Sequence, residues 1–218
     1  YIHAPAEEGD WPRGAASNVL VHHTLASLAD DLADKGLRLI IRRGDAALDV
    51  LRQLIDQTGA AAVYWQRQYE PAAIARDKKI KAALKRDGIE PRSFSGSLLY
   101  EPHEVATQQG DPYQVFTPYF KATQKLPPPQ GPHDAVRRDR LAAPDDWPDS
   151  LTVDDLDLLP DHHWAVDMID GWPIGERAAR DRLRRFCDEA VYHYAELRDR
   201  PDLEIGRASC RERVCHRV

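Results

Sequence analysis

Two short apolar runs, residues 37–42 (LRLIIR) and 61–66 (AAVYWQ), alternate with longer amphipathic stretches through the first hundred residues. This alternation constrains the chain more than any other feature. Buried strands joined through helices must run parallel and be covered on both faces. Residues 1–5 (YIHAP) read as a strand end entering a turn. Ser17 is placed to cap a helix carrying Leu20, Thr24, Leu28 and Leu32 on one face and ending at Lys35-Gly36. Gly44-Asp45 opens a second helix with Leu48, Leu51 and Ile55 on one side, closed by Gly59. Pro71 suits the first position of a third helix, continuing through Ile74, Asp77, Lys81 and Leu84 to Gly88. Phe94 and Leu98-Leu99 belong to the next extended stretch. This spacing predicts an α/β fold with a doubly wound parallel sheet.

The pattern then changes. Residues 126–160 contain a triple proline, Pro144, Pro148 and Pro160, with Asp145, Asp146, Asp149, Asp154, Asp155 and Asp157. Proline density forbids a long helix, so residues 127–162 are expected to form a Pro/Asp-rich linker. Trp147, Leu156, Leu158 and Leu159 are its candidate docking residues. Beyond it, Ala179, Leu183, Phe186, Ala190, Tyr194 and Leu197 repeat at intervals of three and four, predicting one helical stripe bounded by Pro173 and Pro201. Tyr194 and Arg198 stand one turn apart near its end. On residue type alone they are a core-edge tyrosine and a cation favoured by the helix dipole.

The net charge is −6, but residues 205–218 carry +3, leaving −9 for the rest. An acidic chain does not by itself point to nucleic acid. Cys210 and Cys215 lie in that last stretch; Cys187 alone remains, expected to be a small buried hydrophobe, which suits a reducing cytoplasm. No apolar run approaches the ~20 residues of a membrane-spanning helix. There is no glycine-rich dinucleotide fingerprint, phosphate-loop lysine or serine elbow. His22-His23 and His162-His163 are adjacent pairs that point apart on a helix, so no metal site is expected.

Two sets of residues carry a family resemblance. The first is Tyr1-Ile2-His3, Trp11-Pro12, Gly14-Ala15-Ala16-Ser17, Ile41-Arg42, Gly44, Tyr69-Glu70, Arg76-Asp77, Leu99, Glu101-Pro102 and Val115-Phe116-Thr117-Pro118. The second is Trp172-Pro173, Gly175-Glu176, Ala178-Ala179, Leu183, Phe186, Tyr194, Arg198-Asp199 and Pro201. In this order they resemble DNA photolyases and cryptochromes.

The resemblance implies a Rossmann-like antenna domain at residues 1–126, lacking the family's first, central strand. The 127–162 linker and the start of an all-α FAD-binding domain at 163–203 would follow. Residues 204–218 look like a non-native, adapter-derived tail, and the family's flavin-phosphate segment is absent. A fragment of this kind would be inactive and would fold poorly alone. The resemblance further implies light-driven splitting of cyclobutane pyrimidine dimers by electron transfer from reduced FAD. It assigns Tyr194 to the FAD site, Arg198 to DNA, and UV-damaged DNA as partner of a monomeric, cytoplasmic enzyme. For the antenna position the resemblance leaves open a deazaflavin, a second flavin or no second chromophore. Where folate-binding members carry Asn-Glu, Ala72 and Ala73 stand here, which argues against folate. A cryptochrome-like blue-light receptor is the alternative. A stand-alone nucleotide-binding α/β module with an acidic tail is a third reading.

Overall fold

The computed structural model describes residues 1–128, 137, 141–170 and 172–200. Pro201, Pro129, Cys210, Cys215 and the expected tail at 204–218 lie outside the described residues. The contacts define two compact units. One holds Tyr1–Thr58 and the described residues from Ala143 onward; the other holds the described residues of Gly59–Ala142.

In the first unit, β1 (Ile2–His3) pairs in parallel with β2 (Arg42–Arg43), Ile2 opposite Arg42 and His3 opposite Arg43. Between them runs α1 (Ala15–Ala33), and α2 (Ala47–Thr58) follows β2. Helix α1 starts two residues before Ser17. Its N-cap is Gly14, and no side chain caps it. Its C-terminus is closed by Gly36 at φ 74°, with the Leu37 N–H donating to the Leu32 carbonyl at 2.9 Å. A glycine tolerates this left-handed turn without Cβ strain. The buried face of α1 is Val19 and Leu25 rather than the expected Leu20, Thr24, Leu28 and Leu32; Leu28 is 42 % exposed. The rotation follows the partners of Leu25, which packs with Ile41, Leu156 and Leu158.

The expected strand at 37–42 pairs with another strand only from Arg42. Just before it, the Ile41 N–H donates to Ser150 Oγ at 2.8 Å, and the Ile41 carbonyl accepts the Leu151 N–H at 2.9 Å. Those backbone groups are thus satisfied by the acidic stretch instead of a ladder. Leu156 and Leu158 of that stretch are among the most buried residues of the unit, whereas Leu159 is 45 % exposed. Asp155 accepts the Thr152 N–H and hydroxyl, both at 2.7 Å, and Asp157 adopts φ 54°. The segment from Ser150 to Leu158 is therefore a packed strap.

In the second unit, β3 (Ala62–Gln66) and β4 (Glu90–Phe94) run parallel, from Ala62 opposite Glu90 to Gln66 opposite Phe94. The crossover is α3 (Pro71–Arg86), with Pro71 at its start as expected. It buries Ala73, Asp77, Ile80, Ala83 and Leu84, leaving Ile74 38 % exposed. Helix α4 (Phe116–Thr123) follows a long connection. Among the described residues the strands thus form two parallel pairs, one in each unit.

Among the described residues the first unit also holds α5 (Trp164–Ile169), α6 (Glu176–Asp188) and α7 (Tyr194–Leu197). The single helix expected across 171–201 is broken. Glu189 sits at φ −129°, ψ −63°, and Ala190–His193 form a 3-10 turn before α7. Val191, Tyr192 and His193 are consecutive weak helix formers, which accounts for the break. The expected stripe is not buried either; Leu183 is 61 % exposed. Cys187, expected inside, is exposed.

Candidate functional site

Tyr194 and Arg198 bracket the last described turn. Tyr194 opens α7, half-buried, and its ring meets Phe186 of α6 edge-on, centroids 5.8 Å apart. Edge-to-face geometry suits the aromatic quadrupole and fixes the tyrosine ring across the break. The Arg198 N–H donates to the Tyr194 carbonyl at 3.0 Å, closing the turn. The Arg198 side chain is 57 % exposed, with Asp199 Oδ2 3.6 Å from its Nε. An exposed pair at that distance is weak, so the guanidinium stays available to an incoming anion. The two residues predicted from sequence are thus presented within one turn, one inward and one outward.

The start of α6 is anchored on α1. Gly175 has φ 104°, and a Cβ there would stand 2.2 Å from Ser27 Oγ, so only glycine permits the approach. Arg177 reaches Asp31 at 3.7 Å. A cleft of about 500 Å³ opens alongside, lined by Asp30, Asp34, Ile174 and Arg185 among others.

Polar clusters also form just past the carboxyl ends of the strands, where α/β folds place their ligands. After β1, Arg13 binds Glu8 at 2.5 Å, the Tyr1 hydroxyl at 3.1 Å and His3 Nδ1 at 3.3 Å. Since an arginine only donates, Nδ1 is the acceptor and the His3 proton sits on Nε2. Burial, with the Arg13 and Arg43 charges, pushes the His3 pKa down against the pull of Glu8. After β3 and β4, the Tyr69 hydroxyl donates to Glu101 Oε1 at 2.7 Å, and Arg67 Nη1 lies 2.5 Å from Glu101 Oε2. Burial would raise the Glu101 pKa. Hydrogen bonds from Tyr69, Arg67 and Ser95, with the Arg67 charge, hold it below the ordinary carboxylate range. Tyr69 is pushed up, by burial and then by Glu101. Both shifts lead away from neutrality, so this group is a clamp on the loop rather than an acid–base pair.

Sequence reasoning noted Tyr69 and Glu101 separately without joining them. The signal that could have joined them is their position after consecutive parallel strands. Ala73, at one of the two places tied to folate binding, is buried on the inner face of α3. Among the described residues no group of three His, Cys, Asp or Glu converges. His22 leans toward Asp154 at 3.8 Å. No described helix is long and apolar enough to cross a membrane.

Parallel strand pairs joined through helices, with polar groups gathered at their carboxyl ends, define a Rossmann-like α/β protein. Comparison with known proteins narrows this class. The DNA photolyase family model matches residues 1–134, and the chain belongs to that family. The deoxyribodipyrimidine photo-lyase of Agrobacterium fabrum is 42% identical over 196 residues, covering 89% of this chain and 40% of the relative. Cryptochrome-1 of Arabidopsis thaliana is 32% identical over 127 residues, 58% of this chain and 19% of the relative. A class III photolyase crystal structure from Agrobacterium tumefaciens superposes with a TM-score of 0.83 at 41% identity, covering 92% of this chain and 41% of that one. An archaeal photolyase from Sulfolobus tokodaii, solved with two FAD molecules, matches with a TM-score of 0.50 at 23% identity, over 71% of this chain and 33% of that one, which speaks to fold alone. The chain spans about two-fifths of the length of the curated photo-lyase it matches at 42% identity.

Proposed function

We propose that this chain is part of a light-driven DNA repair enzyme, a deoxyribodipyrimidine photolyase. The observation that carries the reading is the ordered match to the Agrobacterium fabrum photo-lyase across 89% of the chain. FAD is its cofactor and UV-damaged DNA its substrate. The residues present suit these roles. Tyr194 offers a hydroxyl and an aromatic ring held edge-on against Phe186, which fits one side of a flavin site. Arg198 offers an exposed fork of donors matching phosphate oxygens. Bound FAD supplies the electron that opens the dimer's cyclobutane ring. Tyr194 orients that cofactor, and Arg198 holds the damaged strand, whose poorly stacked dimer leaves the helix at low cost. A second chromophore is expected on the α/β part, and Ala72 and Ala73 favour one other than folate. The enzyme works as a monomer in the cytoplasm.

The test uses the product of the complete gene with a dimer-containing oligonucleotide under blue light. Dimers disappear in light and persist in the dark. Arg198→Ala weakens dimer-DNA binding about tenfold, the loss of ~1.4 kcal/mol, while flavin absorbance is retained. The cryptochrome relative at 32% identity keeps a photoreceptor as the second reading. A protein that binds flavin yet leaves dimers intact decides for it.

A further inference from the structure

Helix α3 carries an unusual charge distribution for so acidic a chain. Lys78, Lys79, Lys85 and Arg86 are all exposed. At 100° per residue they share an arc of about a third of the helix circumference with Ala75 and Ala82. None of the four cations has an acidic partner among the described residues. The helix's one carboxylate, Asp77, is turned inward, accepting from Trp65 Nε1 at 2.8 Å and from Arg76 Nη2 at 2.8 Å. Asp87 stands at the C-cap, its backbone N–H donating to the Ala83 carbonyl at 3.0 Å, and Glu90 is occupied by Arg92. The two alanines leave the strip between the cations flat. The lysine pair and the Lys85–Arg86 pair stand about 10 Å apart along the axis. Duplex DNA presents about six phosphate charges over that length.

We propose that this exposed face of α3 is a sequence-independent docking surface for duplex DNA, separate from the Arg198 contact. The choice of DNA among polyanions rests on the repair reading above. A membrane surface fits less well, because the arc has no large apolar side chain to enter a headgroup layer. Flatness and unpaired charge suit a phosphate backbone, where cations position the protein without reading bases. Such a surface would hold the protein on undamaged DNA while it searches for lesions.

The test titrates the product of the complete gene, in the dark, against a short undamaged labelled duplex at several salt concentrations. The Lys78→Gln/Lys79→Gln/Lys85→Gln/Arg86→Gln variant should lose roughly tenfold or more in affinity at low salt. Its log-affinity slope against log-salt should flatten by up to about 3.6. The single variants Lys79→Gln and Arg86→Gln, which leave the fold intact, should each flatten it by about 0.9. Arg177→Gln/Arg180→Gln, on α6, should leave it unchanged. Equal slopes for wild type and the α3 variants overturn the proposal. So does a wild-type chain that ignores the duplex at low salt, or an α3 dependence seen only with phosphatidylserine vesicles. Light plays no part in the titration, so its failure and a failure of dimer repair are read separately.

Discussion

The two parallel strand pairs are completed by opposite chemistry. In the first unit, the chain leading into β2 is covered by a strap that spends its polar groups on the Ile41 backbone and inserts Leu156 and Leu158 beside Leu25. In the second, the carboxyl ends of β3 and β4 are closed by a charged clamp, Glu101 held between Arg67 and Tyr69. Apolar closure is non-directional and scales with area removed from water. Charged closure depends on geometry and on every partner being present. One unit should therefore fail by cavity formation and the other by loss of a partner.

The comparison is broken most directly by Leu156→Ala, at a side chain only 2 % exposed. It should cost about 2–5 kcal/mol, read as lost amide protection in the first unit by hydrogen exchange. A cost below about 1 kcal/mol would mean the strap is not core. Glu101→Gln should cost about 1–3 kcal/mol in the second unit, since Arg67 keeps partial access to water. It should leave protection around Ile41 unaltered. Ser150→Ala should cost about 1 kcal/mol by stripping the acceptor from the Ile41 N–H, visible as faster exchange at that amide.

Acid separates the units more gently. His3 and His22 have lowered pKa values, each first through burial; His3 then feels Arg13 and Arg43, and His22 feels His23. As pH falls below ~6.5 the unfolded chain takes up these protons first, so the first unit loses stability there. Glu101 has a lowered pKa, so its contribution is complete above the unfolded value of ~4.3 and fades as pH falls from there toward the folded value. Protection measured against pH should therefore weaken in the first unit before the second. His3→Gln/His22→Gln should remove the earlier step.

Local chemistry legible in one dimension determined much of this protein. Pro71 starting α3, Gly36 and Gly59 past helix ends, and the alternation of apolar runs with amphipathic ones were all readable, because each depends on a residue's own backbone preferences or on near neighbours. So was the family, carried by residues in fixed order. Tertiary structure alone decided which faces were buried and where helices stopped. Leu28 and Leu183 satisfy a helical period yet stay exposed, since burial needs a partner surface that periodicity does not name. Leu156 and Leu158 of the acidic, proline-rich stretch were legible as docking residues, but not their partners, Leu25 and Ile41, more than a hundred residues away in the chain. The Arg67–Tyr69–Glu101 clamp left only its members' place after consecutive strands as a trace in the sequence. Its members meet only after two strands align in parallel, and no sequence spacing encodes that meeting.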